Sequence, residues 1–184
     1  GIFAYVGTEQ GVANWMSQFL STYHGYDPQT VGAAKVALFW GMMTIGGIHG
    51  LFLLKFVDSR RILVGFTASA IAFLTLGLFG PGPLALIMFP LVGFAASVMW
   101  PVIFSLALNS VPSHHGSFSG ILCTGIIGGA LVPLLIGRLG DAFGLRLGLL
   151  VLYLTLGYIL SIGIWARPLI VNETIAMKKK KEAA

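Results

Sequence analysis

No Asp, Glu, Lys or Arg occurs between Ile62 and Gly137, a run of 76 residues. That run decides the class of the chain. A membrane helix needs about 20 apolar residues, because the hydrocarbon layer is about 30 Å thick and a helix rises 1.5 Å per residue. The run therefore holds three spans and their turns. Val36–Leu54 and Leu147–Ala166 are uncharged in the same way. Charged residues make up 9% of the chain, against roughly a quarter in soluble domains. An aqueous domain of this size has no interior large enough for so much apolar surface, so the expected class is an all-α membrane protein.

Turn-forming residues divide the chain into six predicted helices: Gly1–Tyr23, Thr30–Val57, Arg61–Gly80, Leu84–Asn109, Ser117–Leu139 and Leu145–Ala166. The breakers between them are His24–Pro28, Asp58–Arg60, Gly80–Pro83, Asn109–Gly116 and Gly140–Gly144. Every connection is short, so consecutive helices are antiparallel neighbours. Residues 1–167 form the expected bundle and 168–184 a basic tail. The chain opens Gly-Ile-Phe, apolar at once and without an initiator Met, which reads as a piece of a longer protein.

The net charge of +5 is spread over span ends and tail. It tracks no face suited to phosphates, so nucleic-acid binding is not expected. Lys55, Arg60, Arg61, Arg167 and Lys178–Lys181 fall on one side of the layer; Lys35, Arg138 and Arg146 fall on the other. Cytoplasmic loops concentrate Lys and Arg, which predicts that both chain ends are cytoplasmic. On that topology the Asn172-Glu-Thr174 glycosylation pattern is cytoplasmic and inert, while Lys178–Lys181 determines topology and meets anionic lipid. The single Cys123 permits no internal disulfide.

An internal echo supports a repeat. Ile45-Gly46-Gly47 is followed by Lys55 and Asp58, and Ile127-Gly128-Gly129 by Arg138 and Asp141. The glycine pairs lie three helices apart, so the two copies point oppositely through the membrane, a three-plus-three inverted repeat.

Glu9 is the main candidate for chemistry. It sits in the first span beside Gln10, with Asn14 and Ser17 following on the Gln10 face at i+4 and i+7. An ionisable group at membrane depth is costly and normally faces a partner or a wet cavity. A carboxyl group taken out of water resists ionisation, which makes Glu9 the proton-coupling candidate, and its amide neighbours suit a hydroxylated solute. The competing assignment is a structural pairing with a basic group or backbone carbonyl of the missing half. Trp15, Trp40 and Trp100 are candidates to stack on a sugar. Packing or lipid contact is the expectation for Trp15 and Trp40. Trp100 precedes Pro101, which removes a backbone donor and kinks the helix, as in the broken helices that line transporter cavities. The glycine motifs, Gly46xxxGly50 and Gly125xxxGly129 among them, are expected to let helices approach. His49 is expected to bond a neighbouring carbonyl. His114 and His115 belong to a solvated loop without further metal ligands. No nucleotide loop, metal site, cofactor site or clustered catalytic set is present, so an enzyme is not expected.

Particular segments resemble a known family. Tyr5-Val-Gly-Thr-Glu9 is similar to the opening of the seventh helix of the fucose–galactose–glucose:proton symporter family of the major facilitator superfamily. Met99–Leu108 (MWPVIFSLAL) resembles its tenth helix; Gly125–Pro133 and Gly137–Asp141 resemble its eleventh. The resemblance covers essentially the whole chain, as helices seven to twelve of twelve. It implies half of a twelve-helix fold in a bacterial inner membrane, with a second six-helix half as partner. It further implies proton-coupled uptake of a neutral hexose or deoxyhexose, with Glu9, Gln10, Asn14 and Trp100 facing the central cavity. The family commonly carries Gly-Arg where this chain has Gly46-Gly47. Two alternatives stay open on the residues alone: a carrier for another small solute, and a membrane subunit that transports nothing.

Overall fold

A computed structural model describes residues 1–170 and residue 175. The expectations for Asn172–Thr174, for Lys178–Lys181 and for most of the tail lie outside the described residues. Within them, six antiparallel spans run in order: α1 (Ile2–His24), α2 (Pro28–Leu54), α3 (Ser59–Phe79), α4 (Gly82–Leu108), α5 (His115–Phe143) and α6 (Leu145–Trp165). All six predicted helices are present, with ends shifted by four residues or fewer. The last five have the length and hydropathy of membrane crossings. The chain is an integral membrane bundle.

α1 is long enough to cross, at 23 residues, but more polar than the rest, and it is the hub of the packing. It lies against α2, α4, α5 and α6. Met16, Phe19 and Leu20 from α1 meet Phe89 of α4 and Leu152 of α6 in the fully buried centre. A polar helix is tolerated there because protein, not lipid, surrounds much of it.

Exchanging α1 with α4, α2 with α5 and α3 with α6 maps the packing onto itself. α1 packs on α5 and α6, while α4 packs on α2 and α3; α1 meets α4, and α3 meets α6. The echoed glycines sit at corresponding contacts. A Cβ on Gly128 of α5 would collide with the Phe3 carbonyl of α1, and one on Gly46 of α2 with the Phe94 carbonyl of α4. Each copy therefore presents a bare stretch of its second helix to the backbone of the other copy's first helix. Without a hydrophobic force between helices in lipid, such close approach supplies much of the attraction.

Local chemistry explains the ends and breaks. Gly25 closes α1 in the left-handed region at φ 71°, where its amide reaches the Ser21 carbonyl at 3.0 Å; glycine pays no Cβ penalty there. Asp27 caps α2 by accepting from the Gln29 and Thr30 amides, both at 3.2 Å. These bonds, led by the one from the Thr30 hydroxyl, hold its carboxyl below the usual carboxylate range. Asp58 caps α3 through the Arg60 amide. The Arg60 guanidinium then donates to the carbonyls of Gly163 and Ile164, at 3.3 and 2.7 Å, where α6 runs out of internal partners.

α4 is interrupted at Ser97–Val98, ahead of the expected kink at Trp100-Pro101. Pro101 has no amide to give the Ser97 carbonyl four residues earlier, so the ladder opens there rather than at the proline itself. α5 tightens into a 3₁₀ turn over Gly125–Ile127, where it presses on Ile2 and Phe3 of α1.

Candidate functional site

The site grows from the face that α1 turns toward α4. Glu9 is half-buried in mid-span and its carboxylate is held from both sides. The Tyr5 hydroxyl, one turn earlier, donates to Oε2. The Gln10 amide donates to Oε1 at 3.0 Å. Among the described residues its partners are thus a phenol and an amide. Tyr5 is 5% exposed. Its ring meets Trp100 of α4 edge to face, with centroids 5.9 Å apart at 63°. Trp100 lies nearly parallel to Phe104 one turn on, at 6.1 Å and 14°. The half-buried indole therefore stands just past the break in α4, joined through Tyr5 to the carboxylate on α1.

Three of the four predicted site residues are gathered by this arrangement: Glu9, Gln10 and Trp100. Asn14 is not joined to them. It is exposed one turn beyond Gln10 and continues the polar face of α1, which Gln18 and Thr22 extend. Tyr5, the residue that connects the two halves, was not singled out by its chemistry. Its i, i+4 spacing from Glu9 was the available signal.

The remaining candidates fall into packing roles. Trp15 donates its indole N–H to the Pro133 carbonyl at 2.9 Å and lies over Gly137, so it fastens α1 to α5. Trp40 is 39% exposed and turns an edge to Phe39. His49 is exposed, and its ring lies 5.8 Å from that of Phe94, a ring contact in place of the expected carbonyl bond. His114 opens α5 at φ 63° with its Nδ1 2.8 Å from the Ser113 hydroxyl. Among the described residues no group of His, Cys, Asp and Glu is placed to hold a metal. A second polar pair, Thr8 and Thr155, shares a hydrogen bond of 2.7 Å and ties α1 to α6 through the buried interior.

No family model matches the chain. It is 38% identical over 168 residues to a glucose/galactose transporter of Brucella abortus, an alignment that covers 89% of this chain and 40% of that protein. The six-helix arrangement superposes on the crystal structure of the Escherichia coli fucose:proton symporter with a TM-score of 0.85, at 22% identity, over 90% of this chain and 41% of that one. The chain belongs to the major facilitator superfamily. A putative glucose/galactose transporter of Helicobacter pylori is 30% identical over 141 residues, 77% of this chain and 34% of that protein. The Escherichia coli L-fucose-proton symporter is 27% identical over 144 residues, 77% of this chain and 32% of that protein. The chain thus spans about a third to two fifths of the length of these relatives, which are named as transporters rather than enzymes. Membership of this superfamily accounts for the exchange symmetry of the packing: α1–α3 and α4–α6 are the two inverted repeats of one six-helix unit.

Proposed function

We propose that the protein containing this chain carries a neutral hexose or deoxyhexose, of the glucose, galactose or fucose type, together with a proton by alternating access. This chain supplies one wall of the solute site. The observation that carries the reading is the mid-span cluster of Gln10, Glu9, Tyr5 and Trp100. A carboxylate and an amide at membrane depth satisfy sugar hydroxyls that have left water. An indole face beside them covers the apolar side of a pyranose. The names of the relatives support the same class of solute. Asn14 extends the hydrogen-bonding face along the path of entry.

Glu9 takes the coupling role as well as a binding role. Its neighbours are neutral donors, so among the described residues no ion pair has to be broken for it to take that role. The relatives are roughly two and a half times longer, and the further helices they imply, a second six-helix half, form the opposite wall. The protein works in the inner membrane of a bacterium, with both ends of this chain on the cytoplasmic side.

The test uses the full-length gene product in cells stripped of their own hexose carriers. Uptake of radiolabelled D-glucose, D-galactose and L-fucose is followed after an external acid step. Glu9→Gln should lower acid-driven accumulation about tenfold or more, the scale of losing an interaction with a charged group, while sugar-for-sugar exchange continues. Undiminished acid-driven accumulation by Glu9→Gln would remove Glu9 from coupling. Failure to accumulate any of the three sugars would remove the solute class.

A further inference from the structure

Tyr5 is buried, unlike the other polar residues of the cluster, and it belongs to both halves of it. The hydroxyl ends on Glu9 Oε2, and the ring edge ends on Trp100. We propose that Tyr5 is a positioning residue, which registers the carboxylate of α1 against the indole of α4. The inference rests on the proposed function, because it assigns a role within that same solute site.

The geometry gives the reason. A glutamate side chain alone turns freely about its torsions, and ordering it costs free energy when a ligand binds. Here Oε2 is held by Tyr5 and Oε1 is bonded to Gln10. The carboxylate plane is thereby set before any solute arrives, and such prior ordering lowers the cost of binding. The phenol ring is in turn fixed by its buried seat against Trp100, which follows the α4 break. A shift of α4 at that break therefore moves Trp100 against Tyr5 and, through the hydroxyl, moves the carboxylate. Among the described residues no charged side chain competes for Glu9 in this arrangement. α4 carries none, and Lys35, Lys55, Arg138, Asp141 and Arg146 of the neighbouring spans stand toward span ends. His49 of α2 faces Phe94 instead.

The experiment compares Tyr5→Phe, Tyr5→Leu and Glu9→Ala, singly and combined, in the full-length protein, with radiolabelled D-galactose and D-glucose exchange as the readout. Tyr5→Phe keeps the ring and should raise KM about tenfold, the scale for a hydrogen bond to a charged acceptor, with the maximal exchange rate within about twofold. In the Glu9→Ala background, which lacks the acceptor, the same change should move KM by less than about twofold. Tyr5→Leu also removes the ring and should add a loss that Glu9→Ala does not cancel. Labelling of Glu9 by a membrane-permeant carbodiimide, read by mass spectrometry, should quicken in Tyr5→Phe, whichever solute the protein carries.

An equal rise in KM in both backgrounds, or unchanged labelling, overturns the role of Tyr5 and leaves the proposed function standing. A Glu9→Ala protein whose KM is unchanged overturns both the role of Tyr5 and the place of Glu9 in the proposed solute site.

Discussion

α1 and α4 hold equivalent places in the bundle, each meeting the second and third helices of the other repeat, yet they differ in character. α1 is one unbroken helix carrying Glu9, Gln10, Asn14 and Gln18. α4 has no charged residue; it contains Pro90 and Pro101 and opens at Ser97–Val98. Duplication fixed where two helices must stand, and their sequences then divided the work. α1 brings hydrogen-bonding groups on a rigid rod. α4 brings aromatic surface on a rod with a joint. The proposed solute site lies where the two meet, so neither repeat would make it alone.

The severest test of the equivalence is to fill the two echoed glycines. Gly128→Leu forces a side chain into the Phe3 carbonyl and should cost about 3 kcal/mol, the upper range for overpacking. It would be read as a lowered melting temperature in detergent. Gly46→Leu meets Phe94 beside the α4 break, which yields more easily, and should cost about 2 kcal/mol. If Gly46→Leu proves the more damaging, α4 is not the softer partner.

A smaller effect separates residues along α1. Gln10→Ala removes a donor already engaged with the carboxylate and should weaken sugar exchange about tenfold. Asn14→Ala, one turn away and exposed, should weaken it threefold at most. Equal losses would extend the site farther along α1 than the observed cluster.

Thr8→Val tests whether α1 is held as a rod by its buried bond to α6. The expected loss of stability is about 0.6–1.7 kcal/mol, the scale of interhelical hydrogen bonds in membranes, with sugar affinity unchanged. A change in affinity at constant stability would move the pair into the solute site.

The smallest effect concerns the turn that leads from α1 to α2. The Asp27 carboxyl is held below its usual range by the Thr30 hydroxyl and the Gln29 amide. A carboxyl with a depressed folded-state value stabilises above its unfolded value, about pH 3.9, and loses that contribution as pH falls through the depressed one. Hydrogen exchange at the Gln29 and Thr30 amides should therefore accelerate only in strong acid. Asp27→Ala should show the faster exchange at every pH.

The membrane class, the six spans and the three-helix period of the glycine echo were legible along the chain, because charge and hydropathy are local properties. Glu9 was legible for the same reason: one carboxylate at membrane depth stands out against its neighbours. The partners of Glu9 on its own helix, Tyr5 at i−4 and Gln10 at i+1, were legible only as spacing. The meeting of Tyr5 with Trp100 and the separation of Asn14 from that cluster depend on how α1 and α4 are rotated and how closely they approach. Those quantities are set by contacts from other helices, such as Gly128 on Phe3 and Gly46 on Phe94, far apart in sequence. Composition determined what the chain is made to live in; packing across the repeat decided which of its polar groups meet.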